Sequence, residues 1–296
     1  MQKTNMTALI SAFSRAYHTL DFSPTVFRDT VARFLFSEEE YAAISKNMTD
    51  GIAFFSPMFS GSKEDALRFI INTQLGPSPL GRAAFLENSL KTATSIGAMQ
   101  YVILGAGYDT FAYRQDDWAR PLRIFEIDLP DCAKDKKMRL ARAKIPVPQN
   151  VFYLSADLAR PGFQKNLLAH RAFYKDSTSF FSAAGLSYYM KKSSFHRLLS
   201  AISQCCPRGS SFAFDYPTAA RDPKQSQLAA GAGEPMRAAY SYDEVERLAE
   251  QNGFLIYEHM DSAEINKRYF AAYNSIHTAC PIKAIEGVCF CLVVKR

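Results

Sequence analysis

No run of 18 apolar residues occurs anywhere in this 296-residue chain, so nothing in it reads as a membrane-spanning helix. The six cysteines, Cys132, Cys205, Cys206, Cys280, Cys289 and Cys291, form no C-x-x-C pair and have no paired histidines beside them. That spacing excludes a structural zinc centre from the expected architecture, and no metal is expected elsewhere. Buried, unpaired thiols are the expectation, with Cys289 and Cys291 on one face of a strand. Charge of one sign is not in large excess: 35 Lys and Arg against 29 Asp and Glu leave +6, too mild to argue for a nucleic-acid partner. The opening MQKTNMTALISAFSRAYHTL breaks its apolar stretch with polar residues and lacks a small-residue cleavage site. It therefore does not read as a secretory signal, and the expected compartment is the cytoplasm. Internal repeats and low-complexity tracts are also missing.

What is present is an ordinary globular composition, 48% apolar with 14 Gly and 14 Pro, long enough for one large α/β domain. Residues 1–97 read as a helical N-terminal cap. Leu9, Ile10, Phe13, Ala16 and Tyr17 recur at helical spacing, and Ser37 followed by Glu38, Glu39 and Glu40 predicts a helix start. The segment LGPSPLGRAAFLENSLKTATSIG reads as a Pro/Gly break, then a helix through Phe85, Leu86, Leu90 and Ala93 that Gly97 ends. From residue 98 the pattern changes to short apolar runs separated by helical stretches, the mark of βαβ units and a mostly parallel sheet. Seven strands are predicted: 100–104, 122–127, 151–155, 179–183, 211–215, 254–259 and 287–294. The last two lack a long crossover between them, which leaves room for an antiparallel strand. Residues 217–240, polar and rich in Gly and Pro, read as a loop or mobile cover inserted in the same structural domain.

The strongest local signal is YVILGAGYDT, where a strand runs into Gly105, Ala106 and Gly107, with Asp109 beyond them. Small residues there let backbone approach a ligand at the carboxyl edge of a parallel strand. The third glycine of the dinucleotide fingerprint is missing, since position 110 is Thr. About twenty residues on, RIFEIDLPD ends a second strand in Glu126 and Asp128, acids suited to accept from both ribose hydroxyls. Asp157 follows the third strand and is placed to accept from an adenine amine. A glycine loop, then an acid after strand two, then an acid after strand three is the layout of S-adenosylmethionine sites.

These segments resemble the leucine carboxyl methyltransferase family of class I S-adenosylmethionine-dependent methyltransferases, in particular its bacterial small-molecule O-methyltransferases. The resemblance runs from TALISAFSRAYHTLDFSPTVFRDTVARFLFSEEEY through GRAAFLENSL and VILGAGYDTFAYR to FEIDLPDCAKDKK. It implies a Rossmann-like α/β fold, S-adenosyl-L-methionine as cofactor and S-adenosyl-L-homocysteine as product. It further implies that Arg82 binds the methionine carboxylate, Gly105 to Gly107 border the methionine part, Asp128 holds the ribose, and Asp157 with Leu158 forms the adenine side. The sequence departs from the family in FFSAAGLSYYM: Ala184 stands where members commonly carry a glutamate of the cofactor site. That departure argues against a protein C-terminal leucine as acceptor.

A small-molecule carboxylate or hydroxyl is the expected methyl acceptor. Tyr188 and Tyr189, after the fourth strand, are candidates for its pocket, although packing explains them equally well. In the N-terminal helix Arg15 is a candidate partner for a cofactor carboxylate, and His18 a weaker candidate for ligand contact. The six basic residues within 133–144, opposed by Asp135 alone, carry no base-stacking aromatics and read as a solvated helix face. Two other readings share part of the pattern: a nicotinamide-dependent oxidoreductase and a non-catalytic binding protein that keeps the fold.

Overall fold

A computed structural model describes residues 5–21, 25–221 and 223–296. Residues 1–4 and 22–24 of the N-terminal region and Asp222 of the expected cover lie outside the described residues. The front of the chain is helical: α1 (Met6–Asp21), α2 (Glu38–Asp50), a one-turn α3 (Ile52–Phe55), α4 (Lys63–Ile70) and α5 (Pro77–Ser95). Ser37 caps α2 as expected, its side chain accepting from the Glu40 amide at 3.1 Å, an interaction worth about 1 kcal/mol. The expected break falls at Gly76, a bend between the helical segment ending at Leu75 and α5, but it is shorter than the Pro/Gly stretch suggests. Helix α5 starts at Pro77 and runs through Pro79 and Gly81, because N–H groups in a first turn have no intrahelical acceptor to lose. At its far end the Ala98 amide reaches back to the Ala93 carbonyl at 2.9 Å, closing the helix at Gly97.

The rear alternates: β1 (Gln100–Leu104), β2 (Arg123–Asp128), α6 (Pro130–Arg142), β3 (Val151–Ser155), α7 (Phe163–Ala169), β4 (Ser179–Ala183), α8 (Lys192–Cys205) and β5 (Ser211–Pro217). It ends in α9 (Pro223–Gly231), α10 (Tyr242–Gln251), β6 (Phe254–Met260), α11 (Ser262–Ile265), α12 (Ala271–Asn274) and β7 (Val288–Lys295). One seven-stranded sheet runs in the order β3-β2-β1-β4-β5-β7-β6. All neighbours are parallel except β7, which is antiparallel to both β5 and β6. The seven predicted strands all form, and the antiparallel member is the last. This is the expected Rossmann-like α/β sheet, with a helical N-terminal cap.

Strands β1 and β4 are buried at every residue because helices cover both faces of the sheet, hence their unbroken apolar runs. Alternate residues feed two cores. Val102, Leu104, Phe125, Phe181 and Phe212 pack under α7, α8 and α10; Tyr101, Ile103, Ile124 and Phe180 pack under α5 and residues 262–274. Edge strand β6 is blunted by an irregularity between Ile256 and Glu258 that leaves Tyr257 exposed. Among the described residues no helix is long and apolar enough to cross a membrane.

Residues 217–240 are more ordered than a loop. They contain α9 and are fastened at both ends, Thr218 N–H to the Gly287 carbonyl at 2.7 Å and Tyr240 N–H to the Pro217 carbonyl at 2.8 Å. The basic stretch of α6 also departs from expectation in part. Lys136 is 1% exposed and donates to Glu126 at 2.8 Å, while Arg139 donates to Glu40 at 2.6 Å and to the Leu35 carbonyl at 2.9 Å. Lys134, Lys137, Arg142 and Lys144 are exposed as expected, but Lys136 and Arg139 take partners from a strand and from the N-terminal region, which local charge counting does not see.

Charge also fastens α1. Asp29 is fully buried and accepts from Arg15 Nε at 2.8 Å, Thr110 Oγ1 at 2.7 Å and the Ala32 amide at 2.9 Å, with Arg114 Nε at 3.4 Å. Burial acts to raise its pKa, but Arg15 and Arg114 prevail and hold it below the usual carboxylate value. One turn further along, His18 is fully buried and its Nε2 accepts from the Val26 amide at 2.8 Å. Burial, and then repulsion from His277, lower its pKa to about 4.

A histidine depressed in the folded state binds fewer protons than its unfolded counterpart between the two pKa values, so stability falls as pH drops from about 6.5 towards 4. The loss expected from His18 is of the order of 3 kcal/mol. Urea midpoints measured from pH 7 to 4 should show it, and H18Q, whose amide oxygen can still accept from Val26, should flatten the dependence.

Candidate active site

The strand order reverses between β1 and its two neighbours, β2 on one side and β4 on the other, which opens a crevice at the carboxyl edge of the sheet. On the β2 side the glycine loop folds against the end of the neighbouring strand. Gly105 and Ala106 both donate their amides to the Ile127 carbonyl, at 2.8 and 3.2 Å. Asp128 ends β2, and its carboxylate accepts from the Gly107 amide at 2.6 Å and the Leu129 amide at 2.7 Å. Burial raises the Asp128 pKa while those amides pull it the other way. Asp109 closes a turn in the same loop by accepting from the Phe111 amide at 2.8 Å. Beyond β3, Asp157 is exposed, accepts from the Ala159 amide at 3.0 Å and pairs with Arg160 at 3.2 Å. Leu158 beside it is buried and lines a recess of about 170 Å³ with Phe163 and Leu198.

On the β4 side the organising group is one that sequence reasoning missed. Asp215, 1% exposed near the end of β5, accepts from the Gly185 amide at 2.6 Å, Arg82 Nη1 at 3.1 Å and the Tyr188 hydroxyl at 3.0 Å. Arg82 arrives from α5 and gives its other terminal nitrogen to Ser11 of α1 at 2.8 Å. Gly185 follows Ala184 directly and holds φ +65°; a Cβ there would sit 2.7 Å from Arg82 Nη1, so the guanidinium can lie on this turn because residue 185 has no side chain. Burial would lower the Arg82 pKa, but Asp215 outweighs it and the pKa is raised. Burial and the Asp215 charge push the Tyr188 pKa well up, and burial raises that of Tyr189. Both phenols are therefore neutral donors at pH 7. The segment from 217 to 240 reaches across: Arg237 N–H bonds the Tyr188 carbonyl at 2.7 Å, and Glu234 accepts from the Met6 and Thr7 amides at 3.1 and 3.3 Å. An acid from the cover thus caps α1 over the crevice.

Arg82, Gly105, Ala106, Gly107, Asp109, Asp128, Ala184, Tyr188 and Tyr189 all fall at this edge. Glu126, Arg15 and His18 are engaged elsewhere. Glu126 shares a strand face with Asp128 but lies two residues further in, where α6 covers it. It is 3% exposed, salt-bridged to Lys136, and accepts from the Tyr113 hydroxyl at 3.1 Å. Arg15 is committed to Asp29 and, through Nη2, to the Tyr108 carbonyl at 2.8 Å. His18 is buried against Val26. A sign of Asp215 was legible, an acid closing the fifth predicted strand, but its partner Arg82 lies 133 residues away in the sequence.

A profile of the leucine carboxyl methyltransferase family matches residues 8–203. The YktD protein of Bacillus subtilis (strain 168), named as a candidate S-adenosyl-L-methionine-dependent methyltransferase, is 36% identical over 93% of this chain and 96% of its own length. The chain belongs to the leucine carboxyl methyltransferase family. A similarly named protein of Mycobacterium ulcerans (strain Agy99) is 29% identical over 71% of this chain, and the match spans 64% of that protein. Two solved structures share the fold at 14% identity. A candidate methyltransferase from Thermobifida fusca YX has TM-score 0.55, covering 100% of this chain and 96% of its own. A DUF574 family protein from Streptomyces avermitilis MA-4680 has TM-score 0.58, covering 97% of each chain. This leucine carboxyl methyltransferase family member is S-adenosylmethionine-dependent, and its activity is methyl transfer.

In this family member D215A would leave Arg82 buried without its carboxylate and the Gly185 amide without an acceptor. Loss of one partner from a buried pair costs about 3–5 kcal/mol. Denaturant unfolding should show a drop of that size, and an unchanged midpoint would contradict the central place given to Asp215.

Proposed function

We propose that the protein transfers a methyl group to an oxygen, carboxylate or hydroxyl, of a small molecule, and that the residues of the carboxyl edge hold the cofactor for it. The donor set at the edge fits S-adenosylmethionine. Asp128 offers a carboxylate to vicinal ribose hydroxyls, Arg82 the N–H groups left over from its bonds to Asp215 and Ser11 to the amino-acid carboxylate, and Gly105, Ala106 and Gly107, with Asp109 in the same turn, a backbone approach free of bulky side chains. On this proposal Asp157 and Leu158 form the adenine side. In this reading Glu126 and Arg15 support the site from behind, Glu126 by fixing α6 and Arg15 by fixing the loop after β1. The bound cofactor supplies a methyl group on a sulfonium, already reactive enough to need no metal or covalent catalyst.

What the chain's residues then have to do is orient an acceptor in line with that methyl and exclude water. A bound cofactor would supply the methyl group and keep the electron pair of the broken bond on its sulfur, and a carboxylate acceptor would have no proton to lose. A hydroxyl acceptor would have to give one up, and the phenols of Tyr188 and Tyr189, held protonated by burial, are not bases for that purpose. The observation that carries the small-molecule reading is the cover. Glu234 of residues 217–240 caps α1, and α1 places Ser11 on Arg82, so two segments roof the β4 side. Such a roof suits a compact acceptor better than the surface of a folded protein, as does Ala184 in place of the family glutamate.

Calorimetry with S-adenosylhomocysteine tests the cradle. D128A removes two hydrogen bonds to a charged acceptor and should weaken binding by about 2–4 kcal/mol. Unchanged affinity would remove Asp128 from the site. Release of S-adenosylhomocysteine with small carboxylic acids and phenols, but not with peptides ending in leucine, is the expected acceptor profile; the reverse profile would sink the small-molecule reading.

A further inference from the structure

Arginines that are largely covered in this fold are matched to acids: Arg15 to Asp29, Arg82 to Asp215, Arg114 to Glu87, and Arg139 to Glu40 and Asp135. Arg221 breaks the rule. It stands four residues beyond Pro217, at the start of the segment that roofs the β4 side, and its backbone is placed by the turn that Thr218 anchors on Gly287. Nη2 donates to Ser226 Oγ at 2.5 Å, while Nε and Nη1 are shielded from solvent and have no hydrogen-bond partner among the described residues. The guanidinium carbon lies 5.7 Å from the centre of the Tyr188 ring, beside the phenol that bonds Asp215. Burial lowers its pKa, and the groups that oppose this are the phenols Tyr188 and Tyr189, not a carboxylate.

A guanidinium with shielded, unmatched N–H groups is unfavourable unless an acceptor completes it, and an anion does so most strongly. The setting offers a positive charge with no acid paired to it among the described residues, two neutral phenols and an aromatic face, while the charge of Arg82 nearby is balanced by Asp215. A single charge of that kind suits a monoanionic carboxylate better than a phosphate dianion, which calls for a second cation. We propose that Arg221 receives a carboxylate of the methyl acceptor, so that the acceptor is an organic acid docked between the cover and Tyr188. The inference deepens the small-molecule reading above and rests on it. Arg221 is then a specificity-determining residue, and the segment that carries it both roofs the crevice and selects what enters.

The test uses the protein loaded with S-adenosylhomocysteine, acetate as the probe and acetamide as its neutral counterpart. Phenylglyoxal modifies accessible arginines, and peptide mass spectrometry follows each site separately. Acetate several-fold above its dissociation constant should slow modification of Arg221 by a factor of about five or more, acetamide should not, and the rate at exposed Arg160 should stay the same in both. Equal rates at Arg221 in acetate and acetamide, or an Arg221 that does not react in either, would overturn the proposal. Calorimetry on wild type and R221Q separates this from the reading beneath it. Both should bind S-adenosylhomocysteine alike; failure of the wild type to bind it would count against the cofactor cradle itself, whereas normal binding without acetate protection would count against Arg221 alone.

Discussion

A carboxylate placed in a protein interior has to be surrounded by donors, and at the end of β5 that requirement draws four elements together. Asp215 collects the Gly185 amide from the turn after β4, the guanidinium of Arg82 from α5 and the hydroxyl of Tyr188. Arg82 in turn reaches Ser11, so α1 is tied to the same charge. With Arg82 and Tyr188 both committed to this carboxylate, the β4 side of the crevice is shaped by one anion. In a low-dielectric setting neither member of the Arg82–Asp215 pair can leave without stranding the other. The arrangement therefore acts as a fixed frame, well suited to a reaction in which the protein's task is orientation.

A second group of buried charges joins the helical cap to the sheet. Asp29 gathers Arg15 of α1, Thr110 of the loop after β1 and Arg114 beyond it, and Arg114 also pairs with Glu87 of α5. On the other flank, Arg139 and Arg142 of α6 hold the Leu35 carbonyl at 2.9 and 2.7 Å. The cap is thus docked by charged hydrogen bonds as well as by the apolar contact of Leu9, Phe13 and Tyr17 with Phe36, Ile71 and Tyr108. Hydrophobic packing is non-directional and would tolerate a sliding helix; the charged bonds set its register over the glycine loop. Residues that sequence reasoning offered to a ligand, Arg15 and Glu126, belong to this docking machinery.

Much of the architecture was legible because it rests on short-range rules. A strand buried on both faces shows as an apolar run. The antiparallel final strand was only left open by the sequence, and the missing crossover is not its cause, since α11 and α12 do lie between β6 and β7. The Ser37 cap and the stop at Gly97 are local hydrogen-bond requirements written in adjacent residues. Where local rules misled, the cause was also physical. The break expected from the Pro/Gly stretch is confined to Gly76, because Pro77 and Pro79 fit a first helical turn, which has no bonds for them to remove. The polar, Gly- and Pro-rich cover looked like a loop, yet α9 forms in it and Glu234 and Tyr240 fasten it to the rest of the molecule.

By itself the sequence determined the seven strands along the chain, the glycine loop with Asp128 behind it, and membership of a methyltransferase family, since each depends on residues close together in the chain. Tertiary structure decided which charges face the crevice and which are consumed in holding it. Glu126 and Asp128 stand two residues apart on one strand face, yet α6 covers the first with Lys136 while the second emerges to meet Gly107. Asp215 and Arg221 are six residues apart, yet one is saturated by donors and the other keeps N–H groups with no partner among the described residues. Whether a charged side chain is structural or functional turns on the partner that reaches it and on the water that does not, and both are properties of the folded chain.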